Sequence, residues 1–286
     1  MSALAIALVL SAAVLHAVWN YLAKRCYGGI PFVWLISAVA STVYAPLIVV
    51  LFLTTSVPLG SQQVVAMAVS AALQLVYFLA LTRGYQVADL SLVYPLARGT
   101  GPLLATAAAI LIFGERPTTL ALAGSALIAV GIFVLAGDPR KLRQAGATPG
   151  IVFALITGVA IASYTVWDKQ AVSKYLIPPL LLNWSIGFVH NLVLLPLARR
   201  RWDAVRREWR DHWRLVLGVG ILSPLAYLLV LTALTFSPVS YVAPMRESSV
   251  LIGTLIGARL LSEGDTRRRL VGAAIIVAGV VAIGLG

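Results

Sequence analysis

The sequence SLVYPLAR at residues 91–98 returns as SYVAPMRE at residues 240–247, with serine, valine and proline at the same places. A shift of 148 to 150 positions aligns other segments in the same way. These are Val18-Trp19-Asn20 with Val166-Trp167-Asp168, Tyr77 with Tyr227, and Glu115 with Glu263. One period that holds across separate segments indicates an internal repeat. The sequence therefore predicts two copies of one structural unit.

The composition places both copies in a membrane. The chain is 60% hydrophobic and 11% charged, and its mean hydropathy is +0.94. Apolar segments long enough for transmembrane helices recur along the whole chain. They fall at about 2–22, 31–53, 64–82, 89–113, 119–137, 149–169, 178–198, 213–235, 239–261 and 269–286.

This pattern gives five helices per copy, and because five is odd, the second copy must enter the membrane inverted. We therefore predict an all-α membrane protein of ten transmembrane helices, arranged as two inverted five-helix repeats around a central cavity. The first repeat is residues 1–137, the linker is residues 138–148, and the second repeat is residues 149–286. Ten spans of about 20 residues leave no room in 286 residues for a separate soluble catalytic domain.

Lysine and arginine are distributed unevenly between the loops. Sixteen lie in the loops after odd-numbered helices and three in the loops after even-numbered ones. By the positive-inside rule, this bias places both termini outside, on the periplasmic side of a bacterial inner membrane. The net charge of +12 is thereby explained by orientation in the bilayer, so no nucleic-acid partner is predicted. The single cysteine, Cys26, excludes disulfides within the chain and Cys-based metal sites, and we predict no cofactor and no metal.

Three charged residues lie deep inside predicted spans. Arg98 is about ten residues into the fourth helix, about 15 Å deep, and Arg246 and Glu247 lie at similar depth in the ninth. The repeat aligns Arg98 with Glu247, so this pair is either a static interhelical bridge or part of a substrate site. Since Arg246 and Glu247 are about 100° apart on a helix, we expect them to face different neighbours, which leaves one arginine for a substrate carboxylate. Arg259, near a helix end, is expected to snorkel to the interface.

Further candidates for the substrate site come from helix breaks and amphipathic side chains. Pro95 and Pro244 occupy matched positions, and we predict that both kink their helices and act as hinges beside the cavity. The predicted substrate-binding set is completed by His16, Trp19 and Asn20 in the first helix and by Tyr77, Tyr94 and Tyr227. By contrast, Trp167-Asp168-Lys169 fits interface anchors at a helix end. The GxxxG pattern at residues 253–257 is typical of close helix contacts, including those of a homodimer.

These motifs resemble the EamA family of the drug/metabolite transporter superfamily. The resemblance rests on SLVYPLARG at residues 91–99, FGER at residues 113–116, the glycines Gly124 and Gly131, and their counterparts in the second copy. It implies ten helices in two inverted bundles around a central cavity and the export of small metabolites. Within the family, the chain is most similar to amino-acid exporters of the YddG type.

From these observations we expect a secondary transporter, and not an enzyme, in the plasma membrane. It would export amino acids, aromatic ones included, or related small metabolites by alternating access. An arginine would hold the carboxylate, and Glu247 could meet the ammonium group or carry a proton. The alternatives are a lipid-linked sugar flippase and a multidrug exporter of the same fold. A membrane-embedded lipid enzyme fits least well, because the few acidic residues are scattered, mostly in loops.

Overall fold

The computed structural model describes residues 1–57, 59–88, 90–136, 148–253 and 266–286. Within these ranges the chain is helical and contains no strand. The helices are α1 (Ala3–Ala23), α2 (Gly29–Thr54), α3 (Ser61–Val87), α4 (Leu90–Phe113), α5 (Thr119–Ala136), α6 (Thr148–Ser173), α7 (Pro179–Arg199), α8 (Trp202–Phe236), α9 (Val239–Arg246) and α10 (Thr266–Leu285). Each predicted apolar segment overlaps one of these helices; the eighth lies within the longer α8, and the ninth begins with α9.

Long apolar helices dominate the described part of the chain. Seven of them, α1 to α4 and α6 to α8, are long and apolar enough to cross a bilayer, and two shorter apolar helices lie within α5 and α10. In hydrocarbon every backbone N–H and C=O must be paired within the protein, and a helix does this within one segment. The predicted all-α membrane class is confirmed at this level.

The ninth predicted span is interrupted at the depth where its charges lie. α9 ends at Arg246, and Glu247 is a turn residue whose N–H donates to the carbonyl of Pro244 at 3.0 Å. Helical structure resumes over residues 248–253. The interruption follows Pro244, whereas a proline distorts the turn that precedes it, so the predicted kinks at Pro95 and Pro244 stay predictions.

The glycines of α5 and α10 bring the two helices into backbone contact. A methyl group built on Gly124 would lie 2.6 Å from the carbonyl oxygen of Gly279, and one built on Gly279 would lie 2.6 Å from that of Gly124. Gly131 and Gly272 approach each other's carbonyl oxygens in the same reciprocal way, at 3.0 and 3.2 Å. The repeat aligns Gly124 with Gly272 and Gly131 with Gly279, so the two glycine pairs are equivalent contacts. Two surfaces related by a two-fold axis make equivalent contacts in this way.

The start of α9 is held by a carboxylate from the other half of the chain. Glu115, which follows α4, accepts hydrogen bonds from the backbone N–H groups of Val239 and Ser240 at 2.8 and 2.9 Å. The Ser240 hydroxyl also donates to Glu115, at 2.5 Å. An anion at a helix N-terminus satisfies unpaired N–H groups and complements the helix dipole. Glu115 thereby fixes where α9 begins, and so where its charged end lies.

The segment between the seventh and eighth predicted apolar stretches is mostly helical. Helix α8 begins at Trp202, ahead of the predicted stretch, and continues to Phe236. Its backbone is non-helical only at His212, with φ −131° and ψ 20°. The arginines and tryptophans of this segment are compatible with a helix because they have good or neutral helix propensity.

Some predicted features lie outside the described residues. They are residues 138–147 of the linker, Gly257 of the GxxxG pattern, Arg259 and Glu263.

Candidate transport site

A buried ion pair joins the two halves of the chain. Nη1 of Arg98 in α4 lies 3.2 Å from Oε1 and 3.3 Å from Oε2 of Glu247. Both side chains are buried. The pairing predicted from the repeat is therefore present. A space beside it, lined by residues such as Gly99, Pro102 and Pro244, is too small for a water molecule.

Arg246 approaches the same carboxylate, contrary to the sequence-based expectation. Its Nε lies 3.5 Å from Oε1 of Glu247. The angular argument fails because the arginine side chain is long enough to reach the carboxylate of the next residue, even though Glu247 keeps right-handed helical φ and ψ of −73° and −5°. Glu247 is thus flanked by two guanidinium groups.

Arg246 nevertheless keeps unused hydrogen-bonding capacity. Its side chain is 2% exposed. Its Nε and Nη2 atoms are buried and have no hydrogen-bond partner in the described part of the chain. Buried donors without partners are costly, and guanidinium donors are more costly than neutral ones. The arrangement can therefore accept an anionic group, for which a guanidinium is suited geometrically.

Three tyrosines form a row beside Arg246. The rings of Tyr77 and Tyr164 lie edge to face with centroids 5.6 Å apart, and those of Tyr164 and Tyr227 do so at 6.2 Å. The guanidinium carbon of Arg246 is 5.9 Å from the Tyr164 centroid, and that of Arg98 is 5.6 Å from the Tyr94 centroid. Aromatic faces at these distances attract the cations and offer apolar surface to a ligand.

A second buried carboxylate lies at the end of this row. Asp168 in α6 is 0% exposed. It accepts hydrogen bonds from the hydroxyl groups of Ser70 and Tyr227 and, at 3.2 Å, from the amide of Gln74. All three donors are neutral. Since a buried carboxylate is ordinarily matched by a cation, Asp168 is chemically able to bind a cationic group of a ligand.

The prediction that Trp167-Asp168-Lys169 anchors the protein at the interface is wrong for Asp168. α6 continues to Ser173, a full turn beyond the predicted end, which places Asp168 inside the bundle. Its neighbours also bond to other helices. Trp167 Nε1 donates to the carbonyl of Ala66 at 2.9 Å, and Lys169 Nζ donates to those of Leu234 and Ser237.

The first helix contributes a polar ring with an unused nitrogen. Nδ1 of His16 is buried without a partner among the described residues, and the ring lies close enough to Arg98 and Arg246 to interact electrostatically with both. Trp19 packs edge to face on His16 at 5.1 Å, while Asn20 donates to the His16 carbonyl at 2.6 Å. Asn20 occupies the position that corresponds to Asp168 in the repeat, so only the second copy places a carboxylate there.

The structure thus clusters most of the predicted set around Arg246. Arg98, Glu247, Tyr94, Tyr77, Tyr227 and His16 are joined by the contacts described above, with Trp19 behind His16. Sequence reasoning missed Ser70, Tyr164 and Asp168 as members of the cluster. The signal for two of them was the repeat, which aligns Tyr164 with His16 and Asp168 with Asn20.

The second half of the chain matches a family of known proteins. Residues 148–285 match the model of the EamA-like transporter family. The match covers the second predicted repeat and supports placing the chain in the EamA family, whose members are membrane transporters of the drug/metabolite type and not enzymes. The chain is a multi-pass membrane protein by this match and by its seven long apolar helices.

The fold of this chain also occurs in a solved structure. A structure described only as a crystal structure of a protein matches with a TM-score of 0.79 over 98% of this chain and 97% of that chain. The two sequences are 16% identical, so the likeness concerns the fold alone. No curated protein matches the chain.

Proposed function

We propose that the protein is a secondary transporter that exports amino acids, or closely related small metabolites, across the bacterial inner membrane. Two inverted five-helix repeats, residues 1–137 and 149–286 joined by residues 138–148, would move against each other around a central site. The buried guanidinium of Arg246, two of whose nitrogen atoms make no hydrogen bond in the described structure, is the observation that supports this proposal most directly.

Reciprocal contacts support the inverted arrangement. Gly124 meets Gly279 and Gly131 meets Gly272, which are the pairs that a two-fold axis relating the repeats requires. Helix α1 packs on α8, and the corresponding helices α6 and α3 pack on each other. The Arg98–Glu247 pair occupies matched positions and would lie close to that axis.

The chemistry of the cluster fits a zwitterion. In our proposal Arg246 binds the substrate carboxylate through Nη2, since Nε faces Glu247, and Asp168 binds the ammonium group. The tyrosine row between them would receive the side chain, which favours aromatic or large apolar amino acids. Glu247 is already engaged by Arg98 and Arg246, so we assign it to holding Arg246 in place.

Three ligands that differ by one group test this assignment. Phenylalanine carries both charges, phenethylamine lacks the carboxylate, and 3-phenylpropionate lacks the amine. We expect phenylalanine to bind the purified protein more tightly than either analogue, by about 10- to 100-fold for each missing charged contact. Isothermal calorimetry or ligand-induced thermal stabilisation in detergent would measure the difference.

Variants assign each charge to its residue. Arg246→Gln should remove the preference for phenylalanine over phenethylamine, and Asp168→Asn the preference over 3-phenylpropionate. The exposed residues Arg83 and Asp203 supply matched controls, Arg83→Gln and Asp203→Asn, that should keep both preferences. Equal binding of all three ligands to the unmodified protein would refute the zwitterion site.

The two alternative transporter functions predict different outcomes in the same binding experiment. A multidrug exporter for lipophilic cations would bind phenethylamine at least as well as phenylalanine. A lipid-linked sugar flippase would bind none of the three ligands. The two guanidinium groups of Arg98 and Arg246 share the single carboxylate of Glu247, which argues against the first, because a cationic substrate would lie beside an excess of positive charge.

A further inference from the structure

A second cluster of chemically active side chains lies outside the transport site, where the loop after α1 meets the start of α8. It consists of Cys26 from the loop and Glu208 and His212 from α8. One ligand atom from each residue, sulfur, oxygen and nitrogen, lies within 4.8 Å of the other two. Nδ1 of His212 is 3.0 Å from Oε1 of Glu208.

Contacts with neighbouring residues hold the side chains of this cluster in place. Glu208 is 1% exposed although it lies in a highly charged segment. The backbone N–H of Tyr27 donates to its Oε1 at 3.3 Å, and the Tyr27 ring packs edge to face on His212 at 4.5 Å. The Tyr27 hydroxyl also donates to Asp211, at 3.2 Å. The only non-helical residue within α8 is His212 itself, so the helix bends where the imidazole enters the cluster.

The donor set is that of a transition-metal site. Thiolate, imidazole and carboxylate together suit Zn²⁺ and related ions, and a water molecule commonly completes a site with three protein ligands. Tetrahedral bonds of about 2.0 to 2.3 Å place ligand atoms about 3.3 to 3.7 Å apart, so shifts of a few tenths of an ångström to about 1 Å would close the site. The backbone N–H of Tyr27, which donates to Glu208, would then orient this metal ligand as outer-shell partners do.

We propose that Cys26, Glu208 and His212 bind a divalent transition-metal ion of the Zn²⁺ class. On binding, the Cys26 thiol loses its proton to solvent and its sulfur bonds to the metal, while His212 coordinates through Nδ1 and Glu208 through Oε1. No electron is transferred. The metal would tie the end of α1, the helix that carries His16, to the bend in α8.

Without a cation the thiol keeps its proton. Burial and the neighbouring Glu208 carboxylate raise the pKa of Cys26 to about 11. At neutral pH the thiol is therefore a slow nucleophile, and a metal must displace the proton.

The uniqueness of Cys26 gives an unambiguous assay. It is the only cysteine in the chain, so every maleimide label reports on this site. The purified full-length protein is treated with a chelator, and its labelling rate is measured with and without added Zn²⁺. We expect Zn²⁺ to slow labelling by about tenfold or more, because a metal-bound thiolate is blocked. Co²⁺ should give the near-ultraviolet absorption band of a thiolate bound to cobalt, and Zn²⁺ should remove that band.

Variants separate the site from binding at the thiol alone. Glu208→Gln and His212→Ala should each weaken the protection by Zn²⁺ by about 10- to 100-fold or more. Loss of an outer-shell partner alone weakens metal binding by about that much, and these two residues are proposed as direct ligands. Asp203→Asn, an exposed acid in the same segment, should keep it. Protection is compared with and without metal within each variant, since Glu208→Gln also changes the thiol itself.

Either of two results would overturn the proposal. One is equal protection in the Glu208 and His212 variants, and the other is the absence of a thiolate–cobalt band at stoichiometric Co²⁺. Neither depends on transport, so the transport proposal stands or falls separately.

Discussion

Glu247 is the residue on which the buried charges depend. It is fully buried and lies within 3.2 Å of Arg98 and 3.5 Å of Arg246. Removing one partner of a buried pair leaves a desolvated charge, which costs about 3 to 5 kcal/mol. Removing Glu247 would leave two such charges side by side, whereas removing Arg98 would leave Glu247 with Arg246.

We therefore expect Glu247→Gln to destabilise the protein more than Arg98→Gln. The melting temperature in detergent and the fraction of monodisperse protein after purification would measure this order. Arg83→Gln, at an exposed position, should behave like the unmodified protein. Equal losses in the Glu247 and Arg98 variants would show that Arg246 does not share the carboxylate.

Residue-level reasoning from the sequence worked where the repeat supplied a second position to compare. It aligned Arg98 with Glu247, and the two side chains meet. It failed for Asp168, because a helix end misplaced by four residues turned a buried carboxylate into an apparent interface residue. It also could not find the cluster at Cys26, whose other members are more than 180 residues away along the chain. The exclusion of Cys-based metal sites from the cysteine count was too broad, because a single cysteine rules out a site built on several thiolates but not a mixed one.

At the scale of elements, two devices position the site. Glu115 holds the first turn of α9, and this eight-residue helix ends at the charged residue Arg246. The glycines of α5 and α10 let these helices touch at backbone distance. The helices themselves were predictable from apolar length alone. The position of the break was not, because the sequence predicted a kink at Pro244 and the helix ends only at Arg246.

The glycine contact gives a second prediction. In Gly279→Ala the new methyl group would lie 2.6 Å from the Gly124 carbonyl oxygen, so α5 and α10 must separate. We expect a loss of about 1 to 3 kcal/mol in the free energy of unfolding, seen as a lower melting temperature. Gly284→Ala in the same helix is the control, because its methyl group would meet only Ile6 at an ordinary 3.8 Å. If both variants have the same melting temperature, the close glycine contact is not what holds these helices together.

At the scale of the whole molecule, orientation in the membrane is a prediction from loop charges. Both termini should be outside. Alkaline phosphatase fused to Gly286 should then be active and a fluorescent protein fused there should be dark. Fusions after Arg201, in a loop predicted to be inside, should show the reverse. The opposite pattern at both positions would invert the topology, while leaving the fold and the site as described.

The central claim is that the cluster around Arg246 carries a zwitterion across the bilayer. The most direct test is release of labelled phenylalanine from liposomes that contain the purified protein, without any ion gradient. We predict rapid release that is lost in Arg246→Gln and retained in Arg83→Gln. Release that is absent with folded protein, or unchanged in Arg246→Gln, would contradict the claim.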